Sequence, residues 1–238
     1  MLNQFVVAVD GPAGTGKSSA TKRIADLLGL IHVDTGALYR GVAYLSMEAG
    51  FNLELEESDH PAVIKIAEKA QFEFKRVQNR NPKNRLYVNG KDVTAQLRTP
   101  EMSMMASRIS SIAGVRAALK DLQRALGMAA PSILEGRDIG TVIFPDAGVK
   151  FFLNASIDER AKRRLSELEA QDGDAPSFEE LREQIRLRDE GDCNRAIAPL
   201  RKAEGAIEID TTAHSLDEVV ELMAVSIRHK KAEFEAKR

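Results

Sequence analysis

Eight residues near the start, Gly11-Pro12-Ala13-Gly14-Thr15-Gly16-Lys17-Ser18, match the pattern G-x-x-x-x-G-K-[ST], and Ser19 extends the polar run. Each residue type has a chemical reason. Glycines let backbone N–H groups turn inward around phosphate oxygens, and a helix N-terminus adds a favourable dipole. Lys17 would neutralise the β- and γ-phosphates of a nucleoside triphosphate, while the Ser18 hydroxyl would ligate Mg²⁺. The loop therefore predicts triphosphate binding, but not the use made of it. An Asn-Lys-x-Asp guanine reader is absent from the sequence. Asp26-Leu27-Leu28-Gly29 fits a GTPase switch by letters, yet falls too early, on the helix after the loop. Ile133-Leu134-Glu135-Gly136 only loosely imitates the carboxylate-tipped strand of an ATP-driven motor.

Other chemistry-bearing residues gather in three stretches: His32-Val33-Asp34-Thr35-Gly36 with Arg40, Glu135-Gly136-Arg137-Asp138-Ile139-Gly140-Thr141, and Arg188-Asp189 with Asp192, Asn194 and Arg195. The first two follow expected strands, where ligands bind in open parallel sheets. Arginines at such positions suit a second, phosphorylated substrate. Asp10 and Asp34 could order Mg²⁺ through water, and Asp34 could equally cap the next helix. Arg160, Arg163 and Arg164 share one helical side, as part of an ATP-covering lid or as an exposed charged face. Cys193 has no histidine near it in sequence and is not read as a nucleophile. The four histidines, His32, His60, His214 and His229, have no metal-ligand spacing.

The elements that must position these residues follow from periodicity. Phe5–Val9 is a short β-branched strand, and a helix with Ile24, Leu27 and Leu28 on one face runs from Lys17 to a stop at Gly29. A strand over Leu30–Val33 and a helix over Thr35–Ala49 come next. Ser132–Glu135, Val149–Leu153 and Ala206–Ile209 read as further buried strands, and a helix starts near Ser215. Short apolar strands alternating with helices predict a parallel sheet covered on both faces. The middle breaks this rhythm. Gln71–Lys75 and Arg85–Val88 alternate, an exposed loop is expected over 78–84, and Asn89-Gly90 signals a hairpin turn. Residues from about 71 to 98 thus read as a small antiparallel insertion, followed by helices around Pro100–Ile112 and Val115–Leu126.

Composition sets the outer limits. With 34 basic and 36 acidic side chains the net charge is −2, so no global basic field points to nucleic acid. One cysteine leaves no internal disulfide or Cys-based metal site. No signal peptide is read at the start, and no apolar run approaches the ~20 residues of a membrane span. The expectation is a cytoplasmic enzyme. From the residues alone, two readings stand: a kinase for a small phosphorylated acceptor, and a protein using ATP only as a switch.

Taken together, the motifs resemble the bacterial cytidylate kinases, the CMP/dCMP kinases of the nucleoside-monophosphate kinase family. The resemblance runs from the phosphate loop to Asp210-Thr211-Thr212, and Gly-Arg-Asp-Ile-Gly-Thr and Asn-Arg-Ala-Ile-Ala-Pro-Leu are its most specific stretches. It implies an α/β P-loop kinase fold: a mostly parallel five-stranded sheet with helices on both faces, an antiparallel β insertion and a mobile lid. The whole chain, 1–238, would form a single domain. Its core would span about 1–50 and 113–238, the monophosphate-binding insertion about 51–112, and the lid would lie within about 156–192.

By position, the resemblance assigns Lys17, Arg137 and Arg195 to catalysis, and Gly11 to Ser19 to ATP. It assigns Thr35, Arg40, Arg137 and Arg195 to the monophosphate, Ser107, Arg116 and Asp138 to cytosine, and Arg188 and Asp192 to the sugar. The implied reaction is Mg²⁺-dependent transfer from ATP to CMP or dCMP by a monomer. Gly191 and Cys193 depart from relatives that carry arginines there.

Overall fold

The computed structural model describes residues 4–77, 84–170 and 176–236. They pack as two compact units, one made of Met1–Asp34 with Arg124–Arg238 and the other of Thr35–Gln123.

The first unit is built on a five-stranded sheet, β1 (Val6–Asp10), β2 (Ile31–Asp34), β6 (Ser132–Gly136), β7 (Val149–Asn154) and β8 (Ile207–Asp210). Its order is β2-β6-β1-β7-β8, and every pairing is parallel. The sequence expectation of a parallel sheet holds here. β1 at the centre is buried along its whole length, as a strand covered on both faces must be. Alternate residues diverge. Val7 and Val9 pack with Ile24 of α1 (Lys17–Leu28) and with Val219, Val220 and Met223 of α8 (Leu216–Ala236). Val6 and Ala8 pack on the other face with Leu134, Ile139 and Phe144, beside Leu126 and Met128 at the end of α5 (Ala113–Met128). Two further helices, α6 (Ile157–Glu169) and α7 (Phe178–Asn194), pack on each other and carry Arg160 and Arg188.

The second unit holds α2 (Thr35–Glu48), α3 (His60–Lys69), α4 (Pro100–Ser110) and an antiparallel sheet. That sheet is β3 (Phe72–Arg76), β4 (Asn84–Val88) and β5 (Lys91–Asp92), in that order. Asn89 and Gly90 both have positive φ, 49° and 79°, so the expected hairpin turn joins β4 to β5. The loop expected over 78–84 lies outside the described residues except for Asn84, which opens β4. Helix α3 was not anticipated. Its signals are Pro61 in the first turn and Val63 and Ala67 buried four apart.

Candidate active site

The phosphate loop connects β1 to α1, the strand–loop–helix context the motif requires. Gly11, Gly14 and Gly16 have φ of 144°, 78° and 81°, which side-chain-bearing residues rarely adopt. At Gly11 a Cβ would also run into the carbonyl oxygen of Leu153 on β7. The loop has therefore no room for alanine at its first position.

Lys17 is buried, and its ammonium donates to the Pro12 carbonyl and, at 3.2 Å, to Thr15 Oγ1. Burial first, then the guanidinium groups of Arg137 and Arg188, pull its pKa well below the ordinary lysine value, while Glu135 and Asp10 pull it back up. A bound triphosphate would add the anionic charge this lysine lacks. Ser18 Oγ donates to Glu135 Oε2 at 2.5 Å. Ser19, next on α1, is exposed. The sequence reading undervalued Glu135. As a strand-end carboxylate on β6, the immediate neighbour of β1, it reaches the hydroxyl expected to hold Mg²⁺.

Mg²⁺ demands near-octahedral oxygen donors and keeps several waters, usually pairing one or two protein groups with substrate phosphates. The donor set present suits that. Ser18 gives its proton to Glu135, which leaves its lone pairs available beside a carboxylate. Among the described residues no three His, Cys, Asp or Glu side chains form a protein-only cage.

Asp10 is held by the backbone beyond β6. Its two oxygens accept from the Ile139 N–H at 2.8 Å and the Gly140 N–H at 2.7 Å. They therefore pin the turn after β6. That turn, Ile139–Ile143, is π-helical, with Val142 and Ile143 both donating to the Asp138 carbonyl. Burial outweighs these two hydrogen bonds and, with Asp138 nearby, pushes the Asp10 carboxyl up to about 6. Between the ordinary carboxylate value and about 6, the folded chain holds a proton that the unfolded chain releases. Stability from this group is thus fully present below the ordinary value and lost as pH rises through about 6. Asp10→Asn should therefore show the native chain's relative stability dropping by about 2 kcal/mol between pH 4 and pH 7. Urea unfolding of both proteins at the two pH values measures it, and a pH-independent difference would refute it.

Arg137 and Asp138, just before this turn, belong to a charged cluster. Arg137 donates from Nε to Asp192 Oδ2 at 3.0 Å and from one terminal nitrogen to the Gly136 carbonyl at 3.2 Å. Arg195 lies 3.8 Å from Asp192 Oδ1 and 4.0 Å from Asp138 Oδ1, and its Nε donates to the Ala198 carbonyl at 2.6 Å. Burial raises the Asp192 pKa, but Arg137, Arg188 and Arg195 together outweigh it and hold the carboxyl below its usual value. Ala198 has a φ of 51°, a strained position next to the arginine that grips it. Arg137, Asp138, Asp192 and Arg195, taken from distant parts of the sequence, thus form one group, with Arg188 near enough to act on Asp192 and Lys17.

Arg160, Arg163 and Arg164 take different surroundings. Arg160 is buried, donating to the carbonyls of Ala155 and Ala13 and pairing with Asp189 at 2.7 Å. Arg163 binds Glu159 and both oxygens of Thr211, whose hydroxyl donates to the Thr15 carbonyl. Only Arg164 lies in an exposed pair, with Glu167. The first two buttress the phosphate loop, a role helical spacing could not reveal. Gly191 and Cys193 are exposed on α7, and a side chain at Gly191 would meet open space. Burial and then Asp189 and Asp192 push the Cys193 thiol up, away from nucleophilic use.

In the second unit, Thr35 is buried at the start of α2 and Arg40 is half-buried on the same helix. Arg116 on α5 is buried, donates to the Ser110 carbonyl at 3.2 Å and lies 5.5 Å from the Tyr39 ring. Ser107, one turn before Ser110 on α4, is half-buried, and its carbonyl accepts from Ser110 Oγ. Ser110 and Tyr39 were not singled out from sequence, since neither type signals a ligand by itself.

A family model described as cytidylate kinase matches residues 7–229. A cytidylate kinase of Geobacter sulfurreducens is 44% identical over 226 residues, covering 95% of this chain and 94% of the relative. One of Citrifermentans bemidjiense is 42% identical over 231 residues, covering 97% and 96%. One of Halalkalibacterium halodurans is 42% identical over 229 residues, covering 96% and 100%. These alignments leave no large part of the chain unaccounted for, and the chain belongs to the cytidylate kinase family.

Proposed function

We propose that the protein transfers the γ-phosphoryl group of ATP to CMP and dCMP, giving ADP with CDP or dCDP. The observation that carries the reading is the pairing, within one unit, of a Lys17–Ser18–Glu135 phosphate and metal site with the Arg137–Asp138–Asp192–Arg195 cluster. An acceptor phosphate oxygen forms the new bond to the γ-phosphorus as the bond to the bridging β,γ-oxygen breaks. That oxygen is already anionic at neutral pH, so no general base is needed. Catalysis is positioning and charge stabilisation by Lys17, Arg137 and Arg195. Ser18, beside Glu135, would hold Mg²⁺, which when bound neutralises charge on the β- and γ-phosphates.

Thr35 and Arg40 are the proposed monophosphate contacts, Ser107, Arg116 and Asp138 the base contacts, and Arg188 and Asp192 the sugar contacts. Among the described residues no helix is long and apolar enough to cross a membrane. A cytoplasmic monomer is the proposed working form. Measuring ADP release with CMP, dCMP, UMP and AMP tests the assignment. Preference for CMP and dCMP is expected, and acceptor-independent ATP use would overturn it.

Asp138 sets the base preference in this reading. Its carboxylate accepts from the cytosine amino group, whereas uracil would face it with an oxygen. Asp138→Asn adds a donor that suits uracil. The CMP-to-UMP ratio of kcat/KM should fall by about tenfold or more. An unchanged ratio in steady-state kinetics would remove Asp138 from base reading.

A further inference from the structure

His32 is the buried ionisable side chain for which neither the phosphate loop nor the arginine cluster has a use. It belongs to β2, beside β6 in the sheet, and its side chain is only 5% exposed. Nε2 lies 2.8 Å from Glu135 Oε1 and 3.2 Å from Thr21 Oγ1. Thr21 stands one turn after Ser18 on α1, so both hydroxyls face the same carboxylate. The Thr21 hydroxyl has one proton, and its shortest acceptor is the Lys17 carbonyl at 2.9 Å. Thr21 Oγ1 is then an acceptor toward His32. Both oxygens near Nε2 accept, so Nε2 carries a proton and donates.

We infer that His32 is a positioning residue for the metal site: its Nε2–H fixes Glu135 Oε1, so that Oε2 stays on the Ser18 hydroxyl and the Ser18 lone pairs stay available to Mg²⁺. The inference rests on Ser18 as the metal ligand. The torsion that turns a glutamate carboxylate is soft, with broad minima, and does not hold the plane by itself. Thr21, whose single proton goes to the Lys17 carbonyl, does not hold Oε1. A freed carboxylate has another attraction close by, since its charge already acts on the Lys17 ammonium. Turning toward Lys17 would withdraw the carboxylate from Ser18 and engage the lysine meant for phosphate. Partners behind a metal's direct ligands commonly change metal affinity in this way.

The test uses the full-length protein and reads metal coupling rather than rate alone. ADP binding is measured by calorimetry with and without Mg²⁺, beside the Mg²⁺ dependence of turnover and the KM for CMP. Native protein should bind ADP more tightly with Mg²⁺. His32→Leu fills similar space without the donor, and should reduce that enhancement about tenfold and raise half-saturating Mg²⁺ similarly. KM for CMP at saturating Mg²⁺ should change less than about twofold. His32→Gln places an amide N–H within reach of Glu135 and should restore most of the coupling.

Native protein without Mg²⁺ enhancement would sink the Ser18 reading itself. Native enhancement retained in a folded His32→Leu protein would sink the His32 role alone. Equal losses in folded Leu and Gln variants would reduce His32 to packing and overturn the proposal. Should the Leu variant not fold, His32→Asn, one methylene too short for Glu135, replaces it. Coupling kept in Gln and lost in Asn supports the proposal, and equal behaviour refutes it.

Discussion

Arg195→Ala should lower kcat by roughly 10³-fold or more while changing the KM for ATP by less than about threefold. The guanidinium stands between Asp138 and Asp192 and is anchored by its Nε on the Ala198 carbonyl. A charge held so rigidly needs little reorganisation when negative charge spreads over the transferring phosphoryl oxygens, which is where electrostatic stabilisation gains most. Its partners Asp138, Asp192 and Ala198 all lie outside the phosphate loop, so ground-state ATP binding should largely survive. Arg195→Lys should recover little, because one ammonium cannot reproduce a fork whose three nitrogens face Ala198, Asp192 and Asp138. Steady-state kinetics with ATP and CMP varied separately, beside a thermal midpoint for each variant, decide the matter. Near-normal kcat in Arg195→Ala would remove it from catalysis.

Lys17→Met should act on turnover and stability in opposite directions. Turnover should fall by roughly 10³-fold, since the β- and γ-phosphates lose their buried cation. The ligand-free protein should become more stable by about 1–3 kcal/mol, because burial disfavours the ammonium and methionine fills similar space without charge. Pro12 O keeps a donor in Thr15 Oγ1, so few hydrogen bonds are orphaned. Urea unfolding without nucleotide measures the gain. A Met variant less stable than native protein would show that the lysine stabilises the empty loop instead of straining it.

Local pattern carried most of the elements. Period-two and short apolar runs marked the strands, Gly29 stopped α1, and Asn89-Gly90 turned the hairpin, because these signals depend on backbone geometry within a few residues. Helix α3 and the π-helical turn after β6 escaped. The turn owes its shape to a carboxylate more than a hundred residues earlier, Asp10, and no window of sequence contains both partners.

The phosphate loop was legible by itself, since its glycines, lysine and serine are contiguous and their job is done by the backbone they belong to. The family was legible too, and relatives match along nearly the whole chain. What the sequence could not determine was which charged residues work through others. Arg160 and Arg163, alike on a helical wheel, brace the loop, while Arg164 faces solvent. Glu135 looked like an imperfect motor motif until parallel pairing set β6 beside β1 and aimed its carboxylate at Ser18. His32 had no ligand spacing because its partners come from two other elements. Contiguous residues declare a site through local backbone chemistry. A shared proton or a buried ion pair depends on which strands become neighbours, and only the folded sheet decides that.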